Sequence, residues 1–231
     1  MKTVLITGAN RGIGLEFVKQ YLQEGARVLA TCRDPQKAKA LTALKEMGDL
    51  QVAALDVTQP EQVDAAAERW RDQKIDLLLN NAGVYGPRNS FGANDIEADM
   101  AAWETVFRVN TMAPLRVALA FQNQVAAAKG TMAFITSKMG SIADNTSGGS
   151  IIYRTSKSAL NMTVKSLSID LAPRGISCVL FHPGWVLTDM GGPNALIDVT
   201  TSVGGMRAKI DQLTTKDRGK YFNYDGREIP W

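Results

Sequence analysis

Tyr153 and Lys157 stand four residues apart, which puts both on one face if the segment is helical. A free phenol titrates at about pH 10 and exchanges protons poorly near neutrality, but a neighbouring ammonium favours the phenolate and lowers that value. Such a pair suits proton transfer to a carbonyl oxygen, or from an alcohol in reverse. Ser137, at the end of an apolar run, can hydrogen-bond the same oxygen as charge develops on it. Each residue also has a plainer reading. Tyr and Lys one turn apart occur on many amphipathic helices, Asn110 can be a buried capping residue, and Ser137 can simply end a strand.

A glycine-rich stretch supplies context. Thr7-Gly8-Ala9-Asn10-Arg11-Gly12-Ile13-Gly14 follows an apolar run and opens an amphipathic one. Gly8 can take tight-turn dihedrals, Gly12 lets a pyrophosphate approach the backbone, and Gly14 lets a helix lie close to a sheet. The helix N-terminus is then aimed at the phosphates, so the turn reads as a dinucleotide site. The second strand ends at Cys32-Arg33-Asp34. An NAD enzyme places a carboxylate at this tip to hold the ribose hydroxyls, and Cys32 cannot. Arg33 with Arg11 offers two guanidinium groups for a 2′-phosphate, which favours NADP(H), while Asp34 keeps an NAD reading open.

The elements that must position these residues follow from periodicity. Short apolar runs at Thr3–Thr7, Arg27–Thr31, Gln51–Asp56, Ile75–Asn80, Thr131–Thr136, Ile176–Phe181 and Lys220–Tyr224 read as strands. Helical patterns cover Pro60–Trp70, Ala98–Asn110, Ala113–Ala128, Ile152–Ala172 and Val203–Leu213, and Thr188–Ser202 reads as a loop. Alternating strand and helix imply a doubly wound α/β fold: a mostly parallel sheet of about seven strands with helices on both faces. No linker or repeat interrupts it, so residues 1–231 are read as one domain.

Composition narrows the chemistry further. The chain has 26 basic and 23 acidic residues, an excess too small and too scattered to argue for nucleic acid or an anionic membrane. A single histidine makes a His-based metal site untenable, so no metal is expected. Cys32 and Cys178 read as buried thiols. His182, before Pro183, reads as a packed strand-end residue; no Gly-x-Ser-x-Gly elbow supports a hydrolytic triad. No run reaches the roughly 20 apolar residues of a membrane span and no signal peptide is visible, so cytoplasm is the default.

Taken in order, Thr7-Gly8-x-x-x-Gly12-x-Gly14, Asn80-Asn81-Ala82-Gly83, Asn110, Ser137, Tyr153-x-x-x-Lys157 and Pro183-Gly184 resemble the short-chain dehydrogenases/reductases over essentially the whole chain. Within that family, Thr188 to Ala195 and Tyr224-Asp225-Gly226-Arg227 look like the C-factor and sniffer-type carbonyl reductase branch. The resemblance implies a Rossmann fold and a catalytic set of Asn110, Ser137, Tyr153 and Lys157. In it Lys157 also holds the nicotinamide ribose and Asn110 tethers a water chain. It places Asp56 and Val57 at the adenine, and Ala82 and Gly83 along the adenosine ribose, with Asn81 bracing the sheet. Pro183-Gly184-Trp185-Val186 turns under the nicotinamide, the Val186 backbone meets the carboxamide, and Thr188 contacts carboxamide or pyrophosphate. The helices matching Ala113–Ala128 and Ile152–Ala172 often pair between subunits in the family, which implies a homodimer or homotetramer.

Two features depart from the pattern or leave it open. The segment between Ser137 and Tyr153 is a few residues longer than the family norm, which makes Ser141 a rival serine; Ser137-x-x-Gly140 favours Ser137. Tyr85, Met139, Ile151, Trp185, Met190 and Leu196 are candidates to line the substrate mouth, and their apolar character suits a hydrophobic aldehyde or ketone. The alternative is a C-factor-like signalling protein that binds NAD(P) with little turnover. Retention of all four catalytic residue types favours the enzyme.

Overall fold

The computed structural model describes residues 1–87 and 96–231. Among them, seven strands form one sheet: β1 (Thr3–Thr7), β2 (Arg27–Cys32), β3 (Leu50–Ala54), β4 (Leu77–Asn80), β5 (Thr131–Ile135), β6 (Ser177–His182) and β7 (Tyr221–Asn223). Their order is β3-β2-β1-β4-β5-β6-β7, and every pairing is parallel. The helices are α1 (Gly12–Gln23), α2 (Lys39–Ala43), α3 (Pro60–Arg69), α4 (Ile96–Phe107), α5 (Ala113–Ala120), α6 (Gln122–Ala128), α7 (Ile151–Asp170) and α8 (Val199–Asp211).

Successive residues of β1 are buried on opposite faces, as the two-residue period of a strand requires. Val4 and Ile6 pack with Phe17, Val18 and Tyr21 of α1 and Val203, Met206 and Ile210 of α8. Leu5 packs on the other side with Val63 of α3, Val117 of α5 and Leu160 and Val164 of α7. Each such side chain contributes about 1.5–3 kcal/mol of burial. The sheet is therefore covered on both faces, and chemistry is left to the loops at its strand ends. From β1 the chain runs outward to β2 and β3, then returns to place β4 on the other side of β1. That reversal opens a crevice beyond the C-terminal ends of β1 and β4, where doubly wound folds bind ligands.

Three elements differ from the sequence pattern. The helix expected over Ala113–Ala128 breaks at Phe121, whose φ and ψ of −98° and 6° separate α5 from α6. The bend lets Gln124 accept from the Ile75 amide and donate its side-chain amide to the Ala67 carbonyl. Between α4 and α5 the helix widens into one π-turn, Arg108–Met112, which carries buried Asn110. Helix α8 starts at Val199, inside the stretch read as a loop, because the Asp198 side chain caps the Thr201 amide at 2.6 Å.

Candidate active site

At the β1 end of the crevice the glycines are required by contact. Gly8 and Gly12 have φ of +66° and +52°, a region that favours glycine. A Cβ on Gly8 would lie 2.9 Å from Ala82 Cα, and one on Gly14 would lie 2.3 Å from the Gly8 carbonyl oxygen. Helix α1 opens without a side-chain cap and with no acidic residue in its first turn. Its first N–H groups and partial positive charge fit a phosphate. Asn81 braces this turn: its side chain donates to the carbonyls of Thr7 and Gly8 at 3.0 and 3.1 Å. The Thr7 hydroxyl in turn accepts from the Asn81 and Ala82 amides.

Charge at the strand tips is distributed unevenly. Asp34 accepts from the Gln36 and Lys37 amides and pairs with the Lys37 ammonium at 3.1 Å, so its carboxylate closes a local turn. Arg33 is exposed, and its charge acts on Asp56. Burial of Asp56 favours the neutral form, but hydrogen bonds from Thr58 and the Arg33 charge outweigh it and hold the carboxyl below its usual range. Arg11 pairs with Asp189 at 2.6 Å, so one of the two guanidinium groups expected at a 2′-phosphate is engaged with the loop after β6.

At the other end, α7 presents Tyr153 and Lys157, only 8 % and 5 % exposed. The Lys157 Nζ donates to the Ile135 carbonyl at 3.0 Å and lies 5.8 Å from the Tyr153 ring centroid. Burial lowers the Lys157 pKa from 10.5 to about 8. The expectation that Lys157 lowers the Tyr153 pKa is not met. Burial raises that phenol to about 12, against a hydrogen bond with the Ser137 side chain, with the nearby Tyr85 adding to the rise. Tyr153 is accordingly held as the neutral acid. The spacing reports that the two side chains share a helix face, whereas depth of burial decides the direction of the shift.

Ser137 and Ser141 differ in what they do. The Ser137 oxygen accepts from the Met139 amide, and its side chain acts on the Tyr153 phenol to lower its pKa. The Ser141 hydroxyl donates to the Pro230 carbonyl at 2.6 Å and accepts from the Asp144 amide, away from Tyr153. Gly140 owes its place to α7: a Cβ there would lie 2.8 Å from the Lys157 backbone carbon. Asn110 clamps both backbone groups of Val84, accepting from its N–H at 2.9 Å and donating to its C=O at 2.8 Å. It also donates to Ser156, whose hydroxyl donates to the Tyr153 carbonyl. The turn after β4 is thus tied to the turn of α7 that carries the phenol. A Cβ on Gly83 would lie 3.3 Å from Asn110 Oδ1 and 3.6 Å from Lys157 Nζ, so that glycine leaves room for both.

Of the candidate substrate residues, Tyr85 stacks on Tyr153 with centroids 4.3 Å apart and shares a 3.0 Å hydrogen bond with Ser150. Its hydroxyl also reaches the Met139 sulfur. Trp185, Met190, Leu196 and Ile151 are all exposed. Pro183, Gly184, Val186 and Thr188 lie in the loop after β6, where Val186 bridges Ile197, and the Ser202 hydroxyl donates to the Pro183 carbonyl. The Thr188 methyl carbon would touch a Cβ on Gly12 at 3.3 Å, which sets this loop against the phosphate turn. Sequence reasoning missed Ser156, Asn161 and Tyr221. Asn161 continues the Tyr153–Lys157 spacing by one more turn and was readable; Tyr221 carries no local signal. His182 is neutral, its pKa lowered by burial to about 4.

A glycine-lined phosphate turn at the switch point of a parallel sheet, facing a buried Tyr–Lys–Ser group, defines a nucleotide-dependent α/β oxidoreductase. The chain belongs to the short-chain dehydrogenases, whose family model matches residues 2–195. It is 48% identical over 158 residues to the C-signal of Myxococcus xanthus, covering 68% of this chain and 93% of that protein. The NADPH-bound carbonyl reductase from chicken fatty liver superposes with a TM-score of 0.89 at 36% identity, over 100% of this chain and 99% of that one. The carbonyl reductase Sniffer of D. melanogaster gives 0.89 at 35% identity over the full length of both.

Burial of the Lys157 charge has a measurable cost. The lowered pKa penalises the folded state fully below about pH 8, and the penalty fades as pH rises toward the ordinary 10.5, where the lysine is neutral folded or unfolded. Lys157→Met should therefore raise stability at pH 7 by about 1–3 kcal/mol. Urea unfolding across this range checks it: the gap between variant and wild type should close from pH 8 upward.

Proposed function

We propose that the protein is an NADPH-dependent reductase of aldehydes or ketones, reversible toward alcohol oxidation. The observation that carries this reading is the buried Tyr153 phenol, on which the buried Ser137 side chain acts, one helical turn before a buried lysine. The phosphate turn of Gly8, Asn10, Arg11, Gly12, Ile13 and Gly14 would hold the pyrophosphate, with Asp56, Val57, Asn81, Ala82 and Gly83 along the adenosine half. Pro183, Gly184, Val186 and Thr188 would hold the nicotinamide half, with Tyr153 and Lys157 at its ribose. When bound, the reduced nicotinamide supplies the hydride received by the carbonyl carbon.

The chain supplies the proton and the electrostatics. Tyr153 gives its phenolic proton to the carbonyl oxygen, and the Ser137 hydroxyl donates a second hydrogen bond to the same oxygen as negative charge develops there. Lys157, still mostly ammonium at neutral pH, would hold the nicotinamide ribose beside the phenol. Asn110 keeps the Tyr153 turn of α7 registered on the turn after β4. In the reverse direction the phenolate accepts the alcohol proton. Tyr85, Met139, Trp185 and Met190 would line the mouth and favour an apolar substrate. NADPH is preferred over NADH in this reading because Asp34 is committed to its own turn, whereas Arg33 lies exposed beside Asp56.

The likeness to the C-signal favours a second reading, in which the chain binds a dinucleotide and signals with little turnover. Assembly as a homodimer or homotetramer belongs to the first reading. It is supported by the apolar side chains Met112 and Leu119 beside and on α5, and Met162 and Ile169 on α7, all exposed.

Tyr153→Phe should lower turnover of NADPH with a panel of aldehydes and diketones by about 10³-fold while leaving NADPH affinity intact. Equal turnover by wild type and variant, with binding retained, would hand the case to the signalling reading. Arg33→Ala should weaken NADPH about tenfold and NADH hardly at all, as measured by titration; equal losses would return the choice to NAD. Light scattering should give at least twice the 25.0 kDa chain mass, and a monomer mass would refute stable assembly.

A further inference from the structure

Ser137 is held from outside its own loop. Tyr221, on β7 and 1 % exposed, donates its hydroxyl to the Ser137 carbonyl at 2.5 Å across 84 residues of sequence. The same carbonyl accepts from the Gly140 amide at 2.7 Å, which closes the turn. From the opposite side, the Ser158 hydroxyl and the Asn161 side chain of α7 donate to the Gly140 carbonyl at 2.8 and 3.2 Å. Asn161 also accepts from Thr136 at 2.7 Å. One buried network therefore joins β7, the turn after β5 and the helix that carries Tyr153 and Lys157.

Resting on the reductase reading above, we infer that Tyr221 is a positioning residue for Ser137 and sets the serine hydroxyl against Tyr153. A serine side chain has one heavy-atom torsion, so its oxygen can take only three staggered positions relative to the backbone. The Met139 amide already points at that oxygen. Fixing the peptide plane at the Ser137 carbonyl then leaves the hydroxyl little freedom except toward the phenol. Deleting the Tyr221 hydroxyl leaves the carbonyl with Gly140 alone and lets the plane rock. Displacements well under an ångström at a group that stabilises developing charge are enough to slow the reaction.

The test is a double-mutant cycle on the purified protein with NADPH and an active carbonyl substrate. Ser137→Ala should lower kcat by about 10²-fold. Tyr221→Phe, which keeps the ring, should lower kcat by about tenfold and leave the KM for NADPH unchanged. Adding Tyr221→Phe to Ser137→Ala should cost nothing further, because the residue acts through the serine hydroxyl. Amide hydrogen exchange at residues 138–141 should quicken in Tyr221→Phe. Wild-type kcat in Tyr221→Phe, or the same loss with and without the Ser137 hydroxyl, would overturn the inference and leave the reductase reading standing. A wild type without Ser137-dependent turnover would instead sink that reading; exchange then decides, with wild-type protection in Tyr221→Phe overturning the positioning role and faster exchange sustaining it.

Discussion

A buried ammonium is the constraint around which the rest of the site is arranged. Lys157 must leave water, and a desolvated charge is tolerated only where polar partners meet it. The Ile135 carbonyl at the end of β5 is that partner, so α7 has to cross the sheet where its second turn meets that strand end. Two glycines yield space to the same group: Gly83 below the ammonium and Gly140 against the backbone of the lysine itself. Burial that makes the ammonium give up its proton more readily makes the phenol keep its own, since both lose the stabilisation water gives their charged forms. The pair is poised by a shared dry environment.

The dinucleotide side obeys a different rule. There the backbone provides the chemistry, and side chains serve to keep the backbone open. Asn81 and Thr7 tie β1 to β4 at the switch point, and each missing Cβ in the glycine turn corresponds to an atom of a neighbouring segment. The loop after β6 reaches back to this turn through Thr188 and through the Arg11–Asp189 pair. An exposed ion pair of this kind is worth about 1 kcal/mol or less. It orders the loop lightly and leaves it able to yield.

How much of this could be read from residues alone depends on the range over which the signal acts. Strand runs and the glycine turn are local, and the fold followed from them; the Tyr153–Lys157 spacing, equally local, put both side chains on one face of α7. The start of α8 was misplaced because β-branched Val199, Thr200 and Thr201 and the Gly204–Gly205 pair weaken helical propensity. The Asp198 cap and the Ser202 bond to Pro183 override it. The ionisation of Tyr153 was misjudged because spacing along a helix carries no information on depth. Asn161 lay in plain view on the helix face of Tyr153 and Lys157, whereas the Ser137–Tyr221 contact is visible only once β7 is docked beside β6.

That docking also sets an order in time. The serine turn, the tyrosine and the lysine are all synthesised before the last strand, which closes the sheet at one edge. During translation, at about 5–20 residues per second, the nascent chain carries Ser137, Tyr153 and Lys157 for several seconds before Tyr221 exists. Over that interval the Ser137 carbonyl lacks its outer partner. A chain halted short of β7 would lack that contact, so the serine turn gains its outer hydrogen bond only when the final strand docks.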